Sequence, residues 1–119
     1  MTRIARALAV AAAIWGGANF ATPSGLPDVV QRSLAPGRLG EARFPHTIAI
    51  DARPLSWDQL CMAVAHEWGH LVGRGHSSNP NSIMFWRFHR DPRCTRWRAF
   101  LRWSEWNSRL EPWKFSATS

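Results

Sequence analysis

The sequence has no apolar run long enough to cross a bilayer. Its longest, ALAVAAAIW at 7–15, has nine residues, against the roughly 20 that a spanning helix needs. It has no internal repeat and no low-complexity tract, which excludes solenoid and fibrous architectures. Acids are scarce, eight against fifteen Lys and Arg, and no acidic run offers a carboxylate-rich calcium site. Tyrosine is absent, so no phenol can donate a hydrogen bond in any site. Cysteine occurs only twice, at Cys61 and Cys94.

What remains is a globular composition. Hydrophobic residues make up 45% of 119, with eight Trp, enough for one domain with one core. The formal charge is +7. From Phe85 onward eight Lys and Arg face three acids, so an anionic surface or nucleic acid would attract this end, in a salt-dependent way.

The first 21 residues differ from the rest. MTRIAR carries Arg3 and Arg6 and no acid, the apolar run follows, and Gly16, Gly17, Ala18 and Ala21 supply small residues. A basic start, a short apolar middle and a small-residue exit form a secretory-signal pattern. Residues 1–21 are therefore expected to be a signal peptide cut after Ala18 or Ala21, or an uncut N-terminal anchor. Residues 22–119 would form a single domain, secreted or exported and monomeric.

Residues 22–40 hold three Pro and three Gly and read as loop, with a short helix over 28–34. HTIAID at 46–51 alternates and reads as a strand, the only one legible. Ser56 and Gln59 form a capping box ahead of an apolar stretch, so a helix is expected from there to about Val72. Its residues are apolar nearly all round, the mark of a buried helix. Gly73 is a natural residue to end it in the left-handed conformation. Asp91 as N-cap and Pro92 at the first position open a second helix to about Arg109, with Pro112 as its stop.

The stretch AHEWGHLVGRGHSSNPNSIM at 65–84 carries the chemistry. His66 and His70 are four apart, about 40° of helix rotation, so their rings share a face and can hold one zinc ion. Glu67 lies beside them, able to reach a water at the metal without being a ligand. A catalytic zinc takes a third protein ligand and keeps one position open. His76 can supply it only if the helix breaks and the chain turns back, and Gly73 sits where that break is needed. Met84, after the turn residues Asn79, Pro80 and Asn81, can lie beneath the imidazoles without coordinating. His46 and His89 fit no ligand spacing.

His66-Glu67-x-x-His70-x-x-Gly73-x-x-His76 followed by a Met-bearing turn resembles the metzincin metalloproteases. Ser77 after the third histidine, and the SIM turn, look most like their matrixin branch. The resemblance covers about residues 46–84. It implies a zinc-dependent metalloendopeptidase: His66, His70 and His76 on zinc, Glu67 as general base, Gly73 and Met84 as structural support. It also implies a peptide or protein substrate laid along an edge strand. HTIAID is the candidate for that strand, with Ile48, Ala49 and Ile50 as the substrate-strand residues, pairing by backbone addition. Only about 34 residues lie between Ala21 and Ser56, so the expected fold is α+β, a reduced metzincin or zincin-like domain. It would comprise a small sheet edge, a buried active-site helix, the Met-turn and a C-terminal helix. Where the family turn often has Tyr after the Met, this chain has Phe85.

Two cysteines in an exported chain suggest a Cys61–Cys94 disulfide. Cys61 points away from His66 on the helix, and the bridge would close a loop of about 33 residues, worth roughly 3–4 kcal/mol. The Trp-rich tail admits three readings: a face docked on the active-site helix, an anionic-surface contact with Trp at the interface, or nucleic acid, which fits least because no binding fold is evident. A second functional reading follows: a zinc-binding, weakly or non-catalytic binding module that uses this basic Trp-rich face.

Overall fold

A computed structural model of the chain describes residues 1–17 and 20–110. Over these the order is α1 (Arg3–Trp15), β1 (Asp28–Arg32), β2 (Gly40–Arg43), β3 (Thr47–Asp51), α2 (Trp57–Leu71), α3 (Pro92–Thr95) and α4 (Trp97–Leu110). The class is α+β, as the sequence implies. The three strands form one sheet in the order β1-β3-β2. β3 runs parallel to β1, with Val29 opposite Ile48, and antiparallel to β2, with Ala42 opposite Ile48.

α2 is the centre of the molecule. Ser56 caps it as expected: its hydroxyl accepts from the Gln59 N–H at 3.1 Å, and the Gln59 side chain accepts from the Ser56 N–H at 2.9 Å. Its apolar residues are buried on more than one side, from Leu60 through Ala65 to Trp68. One side packs on β2 and β3, the other on α1. Removing large aliphatic and indole side chains such as Ile48, Ile50, Val64 and Trp68 from water drives this assembly.

Three sequence expectations are corrected. Residues 28–34 are not helical: Asp28–Arg32 is a strand. The two β-branched residues Val29 and Val30 find a ladder partner in β3, and tertiary pairing overrides a weak local signal. β2 arises inside a segment whose Pro and Gly obscured it. The second helix is also not continuous, because it breaks at Arg96 (φ −112°, ψ 46°) into α3 and α4. The Trp57 indole N–H donates to the Cys94 carbonyl at 2.7 Å, taking the acceptor that an unbroken helix would offer to residue 98. The expected stop at Pro112 lies outside the described residues.

α1 is a packed element. Thr2 caps it and Gly16 (φ 77°) ends it. Ala7, Val10 and Ala11 are fully buried. The Arg3 guanidinium donates to the Leu55 carbonyl at 2.7 Å, and the Trp15 indole donates to the Ala65 carbonyl at 2.9 Å. No helix among the described residues is long and apolar enough to cross a membrane.

Candidate metal centre

His66, His70 and His76 converge, with one ligand nitrogen from each lying within 4.8 Å of the others. The first two project from one face of α2. The third is brought back by the turn at Gly73, whose φ is 94°. The Gly73 N–H donates to the His70 carbonyl at 3.0 Å, and the Arg74 N–H to the Gly69 carbonyl at 2.9 Å. This pair of bonds is the Schellman pattern of a helix ending in a left-handed residue.

The rings are oriented by the backbone. His66 Nδ1 lies 2.9 Å from the Ile83 carbonyl, and His70 Nδ1 lies 2.8 Å from the Arg74 carbonyl. A carbonyl only accepts, so both Nδ1 atoms carry a proton, which leaves Nε2 as the atom of each ring that could face a metal. Outer hydrogen bonds of this kind are what metal-ligating histidines require. Burial lowers the His66 pKa, and the neighbouring His70 and His76 add to this; the Ile83 hydrogen bond opposes it. The imidazole is therefore held neutral, the form that binds a metal. The donor set and its outer bonds fit zinc.

Glu67 stands beside the triad, with its pKa raised chiefly by burial against the opposing pull of His70 and a hydrogen bond from the Ala42 backbone. Met84 is buried and lies against Gly69, where an added Cβ would overlap its Sδ and approach Trp15 Cζ2 to 2.7 Å. The turn before it is tied back by the Ser77 N–H donating to the Met84 carbonyl at 2.9 Å. The Matrixin family model matches residues 29–96, which is 68 of 119 positions.

The chain belongs to the matrixins. At the level of the family it is a zinc metallopeptidase-like domain in a reduced form, with a histidine triad able to hold the metal. No curated protein and no solved structure matches the chain.

This matrixin domain opens beside the triad into a cleft of about 840 Å³, whose lining includes His66, Glu67, His70 and His76, residues 40–42 of β2, and the segment Phe85–Phe88. The substrate-strand expectation needs correction here. Ile48, Ala49 and Ile50 are buried at 0–1% exposure in the middle strand, paired by β1 on one side and β2 on the other. A strand with both edges filled cannot take another. The free edge on the cleft is β2.

Two positions escaped the sequence reading. Gly69 lets Met84 and Trp15 pack under the metal-bearing turn of α2. Gly40 lets β2 approach α2, since an added Cβ would stand 3.0 Å from Glu67 Cγ and 3.3 Å from the Ala49 carbonyl. A glycine without turn context signals close backbone approach only once its neighbour is known. Cys61 and Cys94 form the expected disulfide across 33 residues, on the side of α2 away from the cleft. His46 pairs with Asp28 at 3.3 Å, and neither it nor His89 joins a metal cluster among the described residues.

Proposed function

We propose that the chain is a zinc-dependent endopeptidase in which Glu67 is the general base. The observation that carries this reading is the convergent histidine triad, two of its rings oriented by backbone carbonyls, with a half-buried carboxylate beside it at a strand edge. Bound zinc supplies Lewis acidity, acidifying water and polarising a carbonyl. His66, His70 and His76 hold the metal, and backbone carbonyls fix the tautomers of the first two. Glu67, with its proton affinity raised by burial, takes the proton of the attacking water and returns it to the leaving amine. β2 offers backbone groups to an extended peptide, and Gly40 keeps the strand close to Glu67.

The disulfide supports work in an oxidising compartment. The packing of α1 supports the uncut form of the N-terminal segment, folded onto the domain. Ala18, one expected cleavage position, lies outside the described residues.

Metal content and hydrolysis of a peptide library, measured on one purified sample with and without a chelator, test the reading. About one zinc per chain and chelator-sensitive cleavage are expected. Glu67→Gln should keep the zinc and lose about 10²–10⁴-fold in kcat. Zinc without cleavage would favour the non-catalytic binding module, and cleavage undiminished in Glu67→Gln would overturn the general base.

A further inference from the structure

α4 turns a surface to solvent that the metal centre does not use. Trp103 and Trp106 are 60% and 59% exposed, three apart and so on one stripe of the helix. Exposed Arg102 lies along one side of the stripe, exposed Arg98 one turn before it with its guanidinium over the Trp97 ring at 4.4 Å, and exposed Arg96 stands just ahead of the helix. The opposite face already meets the core: Trp97, Phe100 and Leu101 pack against it. Trp103 also stacks on Phe100, with ring centres 6.1 Å apart and planes at 21°. The indole is thus held in place while much of it remains exposed.

We propose that this face of α4 docks on an anionic lipid bilayer. Indoles flanked by guanidinium groups suit the headgroup boundary, where the ring is desolvated and the charge meets phosphate. Charge complementarity is one-sided, since Glu105 is the only acid in α4. The helix is convex here, without the groove that single-stranded nucleic acid needs. The disulfide points the same way, because an oxidising compartment presents lipid surfaces and little nucleic acid. Among the described residues none of α4 lines the cleft, so docking leaves the candidate metal site open above the surface.

The test is co-sedimentation of the full, disulfide-intact chain with phosphatidylcholine vesicles, and with vesicles half phosphatidylglycerol. Salt-sensitive binding to the anionic vesicles alone is expected. Trp103→Ala with Trp106→Ala should weaken it at least about tenfold, and Arg102→Glu, which touches no core contact, by about fivefold or more. Thermal midpoints of the variants show whether each still folds, and Arg102→Glu keeps the test open if the tryptophan variant does not. Equal binding to both vesicle types, no binding, or full binding by the folded variants would overturn the proposal. So would preference for a single-stranded oligonucleotide, which would assign the face to nucleic acid.

Discussion

Single atoms decide much at the metal centre. At Gly69 the missing Cβ is the space that Met84 Sδ and Trp15 occupy. Gly69→Ala should destabilise the fold by about 1–3 kcal/mol, as overpacking does, and lower zinc retention with it. A melting curve and a metal assay on the same variant check both. At Gly40 the effect differs in kind. The first atom met is Glu67 Cγ, midway along a flexible side chain, at 3.0 Å, so Gly40→Ala should displace the carboxylate and leave the triad alone. Zinc content should hold while kcat/KM falls, by roughly 100-fold if a misplacement near 1 Å results. A variant that loses zinc along with activity would show that Gly40 supports the fold and not the base. Asp91 offers a pH test. It is nearly buried, at 3% exposure, and burial opposes its charge, yet hydrogen bonds from Arg93, at 2.7 Å and 2.9 Å, outweigh this and hold the pKa below its ordinary value. A depressed carboxylate stabilises the fold above its unfolded pKa, and the contribution fades as pH falls through the folded one. Asp91→Asn keeps the cap and loses the charge. It should cost about 1 kcal/mol near neutrality, with the gap to the parent chain closing below about pH 4. Denaturation midpoints across that range check the sign.

At the scale of elements, what the sequence disclosed follows a clear physical line. α2 was legible because its information is local: a capping box at Ser56 and Gln59, an apolar stretch, and a glycine where the chain must turn. The triad was legible for the same reason, since ligand spacing on a helix is fixed by rotation per residue. The sheet was legible only at β3, whose residues alternate. β1 becomes a strand through partners 19 residues on in the chain and β2 through partners four to ten residues on, and no local pattern encodes a partner. That is also why the substrate strand was misassigned: edge and centre are properties of the sheet order. The break at Arg96 depends on Trp57, 39 positions earlier, and was equally hidden. The local rule at Gly73 can be tested directly. Nothing lies within 4 Å of an added Cβ there, so the cost of Gly73→Val is conformational. The left-handed conformation should cost about 1–2 kcal/mol, and a β-branched residue sits at the worse end. Because His76 is placed by this turn, zinc affinity should fall while α2 remains helical by circular dichroism.

Across the whole molecule, the question is how so short a matrixin closes a core. A three-stranded sheet covers one side of α2, and α1 covers the other. Val10, Ala7 and Ala11 are fully buried, and Trp15 is bonded to α2 through the Ala65 carbonyl. The Arg6 guanidinium lies 4.3 Å from the Trp97 ring centre, so α1 also touches the C-terminal helix. In the structure the residues that read as a secretory signal, a basic start and an apolar middle, form a basic rim and a buried face. Composition cannot separate the two uses, because an exported leader and a short amphipathic helix both need apolar residues flanked by arginine. Packing supplies a test of the two: a leader removed after export would uncover Trp68 and the Ala65 turn beneath the candidate metal site. Uncovering one large buried side chain costs about 1.5–3 kcal/mol, and here several are involved in a domain whose total stability is of the order of 5–15 kcal/mol. The disulfide, worth roughly 3–4 kcal/mol by loop closure, could not offset that loss. A chain beginning at Thr22 should therefore fail to give a cooperative melt or to hold zinc, whereas the full chain should do both. Intact mass of the protein purified from its producing cell gives the complementary reading. A mass that includes residues 1–21 is expected, and a folded, zinc-loaded product lacking them would show that α1 is dispensable to the core it covers.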